Sequence, residues 1–241
     1  MTPSRTQLIA MHGWAGDQRS WGPWRALAEA RGWSMQVGER GYGALPPQTP
    51  NWLDNDDAPT AAPAGARVVL AHSLGPHLLP AALWQRASAV VLLASFGAFV
   101  PAGAPGRRLK QALQAMSAKI ETGQTETLLQ EFFARVAAPH PSSLLPAGPL
   151  QQGISAEGRQ RLLADLTLLG RTEGLPLGFP SDRPVLLVEA MDDQIVAEGS
   201  RRALRESLPQ ADCWSLQQAG HALLVEGLPA AVLDWVEHVQ P

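Results

Sequence analysis

The segment Ala71-His72-Ser73-Leu74-Gly75 places a serine between small residues directly after the apolar run 68–71. A serine that ends a buried strand and opens a helix suits nucleophilic attack. The turn is tight enough to strain the serine backbone and push its Oγ out of the sheet, and the residues two before and two after must be small to avoid collision. Ala71 and Gly75 are small. The helix that follows aims its first amides at the serine, where they would stabilise negative charge. An ordinary N-cap serine is the competing account of the same residue.

A serine hydroxyl is a weak nucleophile at neutral pH and needs a base beside it. Among six histidines, His221 in "QQAGHALLVEGLP" follows the last expected strand and precedes the final helix, where a base acting on Ser73 has to be. His72 adjoins Ser73, but its side chain is expected to point to the opposite side of the strand end. His12, His77, His140 and His238 fall in the first loop, the elbow helix, a Pro-rich linker and the chain end. The imidazole needs a carboxylate to hold its tautomer and stabilise its cation. Strand 185–189 runs into "EAMDDQIVAEGS", which offers Asp192 and Asp193; Asp193 is preferred because it stands three residues ahead of an apolar anchor, Val196. No acid follows the earlier strand 89–94. For the oxyanion, the Leu74 amide is one donor, and the flexible loop His12-Gly13-Trp14-Ala15-Gly16 supplies the other, that of Trp14. That loop is not a phosphate cradle: it contains no G-x-G-x-x-G and no following Lys-Ser/Thr.

Positioning these groups requires a sheet. Short apolar runs at 7–11, 68–71, 89–94 and 185–189, with weaker ones at 34–37 and 213–216, alternate with helical spacing at 21–31, 78–86, 199–208 and 229–239. That alternation implies an α/β protein, a doubly wound and mostly parallel sheet covered on both faces. From 99 to 179 the rhythm changes to amphipathic helices at 107–120, 125–136 and 156–169 without intervening strands. The expected organisation is a core of residues 1–98 and 180–241 with a helical cap inserted at 99–179. The Pro-rich, acidic stretch 44–66 suits a solvated surface loop.

Composition narrows the possible classes. Apolar residues make up 45% of the 241-residue chain and charged residues 17%, which fits a folded globule and argues against disorder. A net charge of −3 lacks the dense basic face of a nucleic-acid binder. The one cysteine, Cys213, leaves no disulfide framework or cysteine-rich zinc site. The opening residues lack the long apolar stretch of a secretion signal, and no run is long enough to span a bilayer, so the expected location is the cytoplasm.

Taken in order, "HGWAGDQRSW", "GERGYG", "AHSLG", "DDQIV" and "AGHALLVEGLP" resemble the α/β-hydrolase superfamily across essentially the whole chain. The order Ser, Asp, His is the order of that family's triad. Within it, His-Gly-Trp at 12–14 and the stretch from "LLADLTLLGRTEG" to "DDQIV" are similar to the carboxylesterases that demethylate pimeloyl-acyl carrier protein methyl ester in biotin synthesis. Ala71 stands where those esterases usually carry glycine, and His72 where they often carry tryptophan. The resemblance implies an esterase working through an acyl-enzyme on Ser73, His221 and Asp193, with no metal or organic cofactor.

By the same resemblance the acyl chain occupies a cleft between core and cap, walled by Trp14, His72, Phe132 and Phe133, with Phe96 and Phe99 also near it. The partner would be an ester-loaded acyl carrier protein met transiently by Arg107, Arg108, Lys110 and Arg135 on a cap holding eight Lys/Arg against six Asp/Glu. Neither nucleic acid nor membrane is expected as a partner, and the chain is expected to be monomeric. Other outcomes on this scaffold are a broad small-ester or thioester hydrolase, a menaquinone-pathway lyase, or a catalytically silent binding protein.

Overall fold

A computed structural model describes residues 6–53 and 65–239 of the chain. The expected acidic loop residues Asp54, Asp56 and Asp57 lie outside the described residues. Strands form at the short apolar runs: β1 (Gln7–Met11), β2 (Ser34–Val37), β3 (Arg67–His72), β4 (Ala89–Leu93), β5 (Val185–Ala190) and β6 (Asp212–Leu216). Helices run between and after them: α1 (Gly22–Ala30), α2 (Gly75–Leu78), α3 (Ala81–Trp84), α4 (Gly103–Glu121), α5 (Thr125–Ala137), α6 (Pro149–Gln152), α7 (Ala156–Arg171), α8 (Glu198–Ser207) and α9 (Leu228–His238).

The strands make one sheet in the order β2-β1-β3-β4-β5-β6, and every neighbouring pair is parallel. β1, β4 and β5 are buried at every position, as strands covered on both faces must be. Alternate residues feed two cores. Val68 and Leu70 of β3 face the side covered by α1 and α9, with Trp24, Ala28, Val232 and Val236. Val69 and Ala71 face the other side, against Leu83, Trp84, Leu204 and Leu208.

The helix expected over 78–86 is instead two single turns, α2 and α3. Leu79 and Pro80 between them are extended, with ψ of 140° and 148°. Proline has no N–H to continue the ladder and forces the residue before it out of the helical region, which accounts for the break.

Residues 99–179 carry α4 to α7, with no strand among the described residues. Leu113, Ile120, Leu129, Leu162, Leu166 and Leu169 of this segment close a third core over the carboxyl ends of the strands, against Trp14, Tyr42 and Leu74. A buried polar clasp fixes α7 there. Asp165, 2% exposed, accepts hydrogen bonds from Arg40 Nε at 2.7 Å, Arg40 Nη2 at 2.8 Å and the Tyr42 hydroxyl at 2.7 Å. Arg161 Nη1 donates in return to the Gly41 carbonyl at 2.7 Å. A carboxylate out of water needs such partners.

No helix among the described residues is long and apolar enough to cross a membrane. The chain passes outward from β1 to β2 and returns to β3 on the other flank of β1. The loops after β1 and β3 therefore diverge at a switch point, where α/β sheets open a crevice.

Candidate active site

Ser73 leaves β3 with φ of +56° and is 6% exposed. Its amide donates to the Leu93 carbonyl at 2.9 Å, and its own carbonyl accepts from Ser95 Oγ at 2.7 Å, so the strained residue is held from both sides. The other non-glycine residues with positive φ among those described are Ala15, Ala94, Gln218 and Leu223. All five lie in loops just beyond the carboxyl ends of β1, β3, β4 and β6. Strain gathered at one end of a sheet is characteristic of a working site rather than of packing.

Glycine is required where backbones meet at this end. A Cβ on Gly13 would lie 2.7 Å from the Ser73 Cβ and 3.1 Å from its Oγ, and one on Gly75 would lie 2.5 Å from the Met11 carbonyl oxygen. The Trp14 and Leu74 amides donate to no acceptor among the described residues. The loop that carries Trp14 is braced by His12, 2% exposed, whose Nδ1 donates to the Gly13 carbonyl at 2.8 Å while Nε2 accepts the Arg40 amide at 3.1 Å. The Trp14 indole Nε1 donates to the Leu162 carbonyl of α7 at 3.0 Å, tying the same loop to the helical segment.

His221 and Asp193 meet across the loops after β6 and β5. His221 Nδ1 donates to Asp193 Oδ2 at 2.9 Å, with side chains 2% and 0% exposed. Asp193 Oδ1 accepts the amides of Ile195 at 2.7 Å and Val196 at 2.9 Å. Burial alone would raise the Asp193 pKa; the His221 ring and these two amides outweigh it and hold the carboxyl below its ordinary value. Asp192 is exposed, and its amide donates to the Ala219 carbonyl at 2.9 Å. With Nδ1–H committed to Asp193, the lone pair of His221 is on Nε2.

Ser73 and His221 line one cavity of about 600 Å³. No hydrogen bond joins the hydroxyl to the ring; such contacts often tighten only when substrate binds. Trp14, His72, Phe132 and Phe133 also line the cavity, with Trp14 edge-on to Phe132 at 4.8 Å between centroids. Phe96 and Phe99 do not: they pack on each other at 4.9 Å in the third core, with His77 stacked on Phe96. No Lys or Arg is among the lining residues; the carboxylates are Asp17, occupied by Arg19, and Glu226, exposed.

One further expectation differs from the structure. His72 does not point away from the site: its Nε2 donates to the His221 carbonyl at 2.8 Å and its ring lies 4.9 Å from the His221 ring. Strand alternation explains this, because 68, 70 and 72 share the face along which the β6–α9 loop returns. Arg107, Arg108 and Lys110 are exposed on α4, which contributes nothing to the cavity, and Arg135 is exposed on α5 and is not part of the wall. Sequence reasoning placed His12 in the oxyanion loop but not its bracing role, and missed the Arg40–Asp165–Tyr42 clasp. Asp165 did leave a trace, an acid on the same helical face as Leu162, Leu166 and Leu169. No group of three or more His, Cys, Asp or Glu among the described residues is arranged to hold a metal ion.

This arrangement can be set beside known proteins. Residues 8–235 match the alpha/beta hydrolase family. The chain belongs to that family. No curated protein sequence matches this α/β hydrolase. It is similar in fold to a bromoperoxidase from Bacillus anthracis, with a TM-score of 0.69 at 16% identity over 98% of this chain and 93% of that one. A thermophilic esterase from Thermogutta terrifontis gives 0.65 at 16% over 99% and 92%. An enol-lactonase from Burkholderia xenovorans LB400 gives 0.67 at 15% over 97% and 92%. At such identities the likeness concerns the fold of this hydrolase alone; its chemistry has to be argued from its own residues.

Proposed function

We propose that this α/β hydrolase is a serine carboxylesterase acting through an acyl-enzyme on esters whose chains are apolar and uncharged. The observation that carries this is the shared cavity of Ser73, strained outward at φ +56°, and His221, whose Nδ1–H is committed to Asp193. Ser73 Oγ attacks the ester carbonyl and passes its proton to His221 Nε2, and the oxyanion takes hydrogen bonds from the Trp14 and Leu74 amides. His221 returns the proton to the departing alcohol. The same nitrogen then deprotonates a water that attacks the acyl-serine, releasing the acid and restoring the hydroxyl.

A wall of Trp14, Phe132, Phe133 and Leu145 without a cation favours neutral chains over free carboxylates or phosphates. Within that class, the substrate we favour is the methyl ester of pimeloyl-acyl carrier protein in biotin synthesis. Its far carboxyl is uncharged as the methyl ester, and methanol would be the leaving group. The carrier's acidic surface would be met by Arg107, Arg108 and Lys110, exposed on α4, and Arg135, exposed on α5.

The test uses purified protein, a fluorophosphonate probe, p-nitrophenyl butyrate and methyl pimeloyl-carrier protein, each with Ser73→Ala as control. Labelling and hydrolysis of both esters that vanish in Ser73→Ala are expected. Absence of labelling in the wild type refutes the esterase reading. Hydrolysis of the small ester alone, with no rescue of a biotin auxotroph lacking its esterase, refutes the carrier-bound substrate.

A further inference from the structure

His221 sits in a loop, and a loop residue can serve as a base only if its backbone is held. The segment around it is stitched to three different elements. The Ala219 carbonyl accepts the Asp192 amide at 2.9 Å from the loop after β5, and the Ala222 amide donates to the Val136 carbonyl of α5 at 2.9 Å. The peptide of His221 itself is held by a third bond, from His72 Nε2–H to the His221 carbonyl at 2.8 Å. His72 is covalently next to Ser73. One side chain therefore connects the residue before the nucleophile to the main chain of the base.

The geometry points to His72 as the positioning residue that sets the reach between Ser73 and His221, an inference that rests on the esterase reading of those two residues. The separation of nucleophile and base then depends on one stiff ring rather than on the summed tolerances of β3, the β6–α9 loop and α5. The ring suits this role because it stays neutral: burial first, and the adjacent His221 second, push its pKa from 6.5 to about 3. A neutral imidazole with its proton on Nε2 donates to the carbonyl without placing a cation beside the imidazolium that forms on His221. Its ring is tilted 52° from that of His221, with the centroids 4.9 Å apart.

The substitutions His72→Leu and His72→Gln separate this role from packing and from substrate contact. Glutamine places an N–H near the position of the imidazole Nε2, whereas leucine fills space and donates nothing. Displacement of a catalytic group by ~1 Å lowers the rate by about 10²-fold. His72→Leu is therefore expected to lose ten- to a hundredfold in kcat on p-nitrophenyl butyrate, with KM little changed and with fluorophosphonate labelling slowed in proportion. His72→Gln is expected to recover most of both. The downfield proton resonance of the His221–Asp193 hydrogen bond is expected to persist in both variants, because that contact does not pass through residue 72.

Full kcat and labelling in His72→Leu overturn the proposal. So does a loss confined to KM, which marks a substrate contact. Equal losses in the leucine and glutamine variants overturn it too, since the donated hydrogen bond would then not matter, as does loss of the downfield resonance, which marks collapse of the loop. Ser73→Ala, run alongside, keeps the outcomes distinct: if it retains activity, the esterase reading fails, whereas an inactive Ser73→Ala with a fully active His72→Leu removes only the role of His72.

Discussion

Replacing Asp193 by asparagine should reverse the tautomer of His221 while leaving the fold intact. The two oxygens of Asp193 have unlike surroundings. Oδ1 accepts two amides, from Ile195 at 2.7 Å and Val196 at 2.9 Å, and Oδ2 accepts the ring N–H of His221 at 2.9 Å. An asparagine has one oxygen, and the two buried amides claim it, because leaving them unpaired costs about 1–3 kcal/mol each. Its NH2 group is then turned toward His221 Nδ1. That nitrogen must become the acceptor, which moves the ring proton to Nε2 and removes the lone pair that would take the Ser73 proton. The same substitution in another serine hydrolase triad lowers kcat about 10⁴-fold, or ~5.5 kcal/mol of transition-state stabilisation. We expect a loss of that order in kcat on p-nitrophenyl butyrate, and an equally slowed fluorophosphonate reaction. The melting temperature should change little, since the amide pairings survive. Asp192→Asn is the control; its side chain is exposed, and full activity is expected. The reasoning is refuted if Asp193→Asn keeps more than about a tenth of wild-type kcat, or if Asp192→Asn is as damaging.

Three other outcomes follow from the structure. Between pH 6.5 and about 3 the unfolded chain protonates His72 and the folded one does not, so more protons are bound on unfolding and stability falls as pH drops through that window. His72→Gln should make the decline of melting temperature with acidification shallower, and parallel curves for the two proteins would contradict the assignment. Asp165→Ala leaves the buried Tyr42 hydroxyl and the partly exposed Arg40 guanidinium without their shared acceptor; urea titration should show a loss of about 1–3 kcal/mol, and a loss below ~0.5 would show that the clasp contributes little. Gly13→Ala drives a methyl group into the Ser73 side chain, 2.7 Å from its Cβ. It should destabilise the fold by about 1–3 kcal/mol and suppress fluorophosphonate labelling, whereas normal labelling would mean that the loop yields freely.

Much of this architecture was legible in the residues because its determinants are local. An apolar run of four to six residues bounded by turn formers is a buried strand wherever it lies, and four of the six strands were visible in that way; β2 and the largely exposed β6 left only weaker runs. Ser73 was legible because a nucleophile at a strand end needs small neighbours, and those neighbours adjoin it in sequence. Where the reading went wrong, a nearby constraint had been weighed too lightly. Pro80 splits the elbow helix, and strand alternation already placed His72 on the face of Leu70.

The amino-acid sequence by itself determined the strand and helix types, the alternation that makes the sheet parallel, and the identity of the groups able to do chemistry. Those follow from backbone sterics and from apolar periodicity, which act over a few residues. Only the tertiary structure decided which of Asp192 and Asp193 meets His221, that His72 grips the His221 carbonyl, and that Asp165 anchors α7 to Arg40 and Tyr42. It also decided that Phe132 and Phe133 wall the cavity while Phe96 and Phe99 do not. These are contacts between residues tens to more than a hundred positions apart. They depend on how loops from separate strands converge at one end of the sheet, and short-range preferences do not encode that convergence.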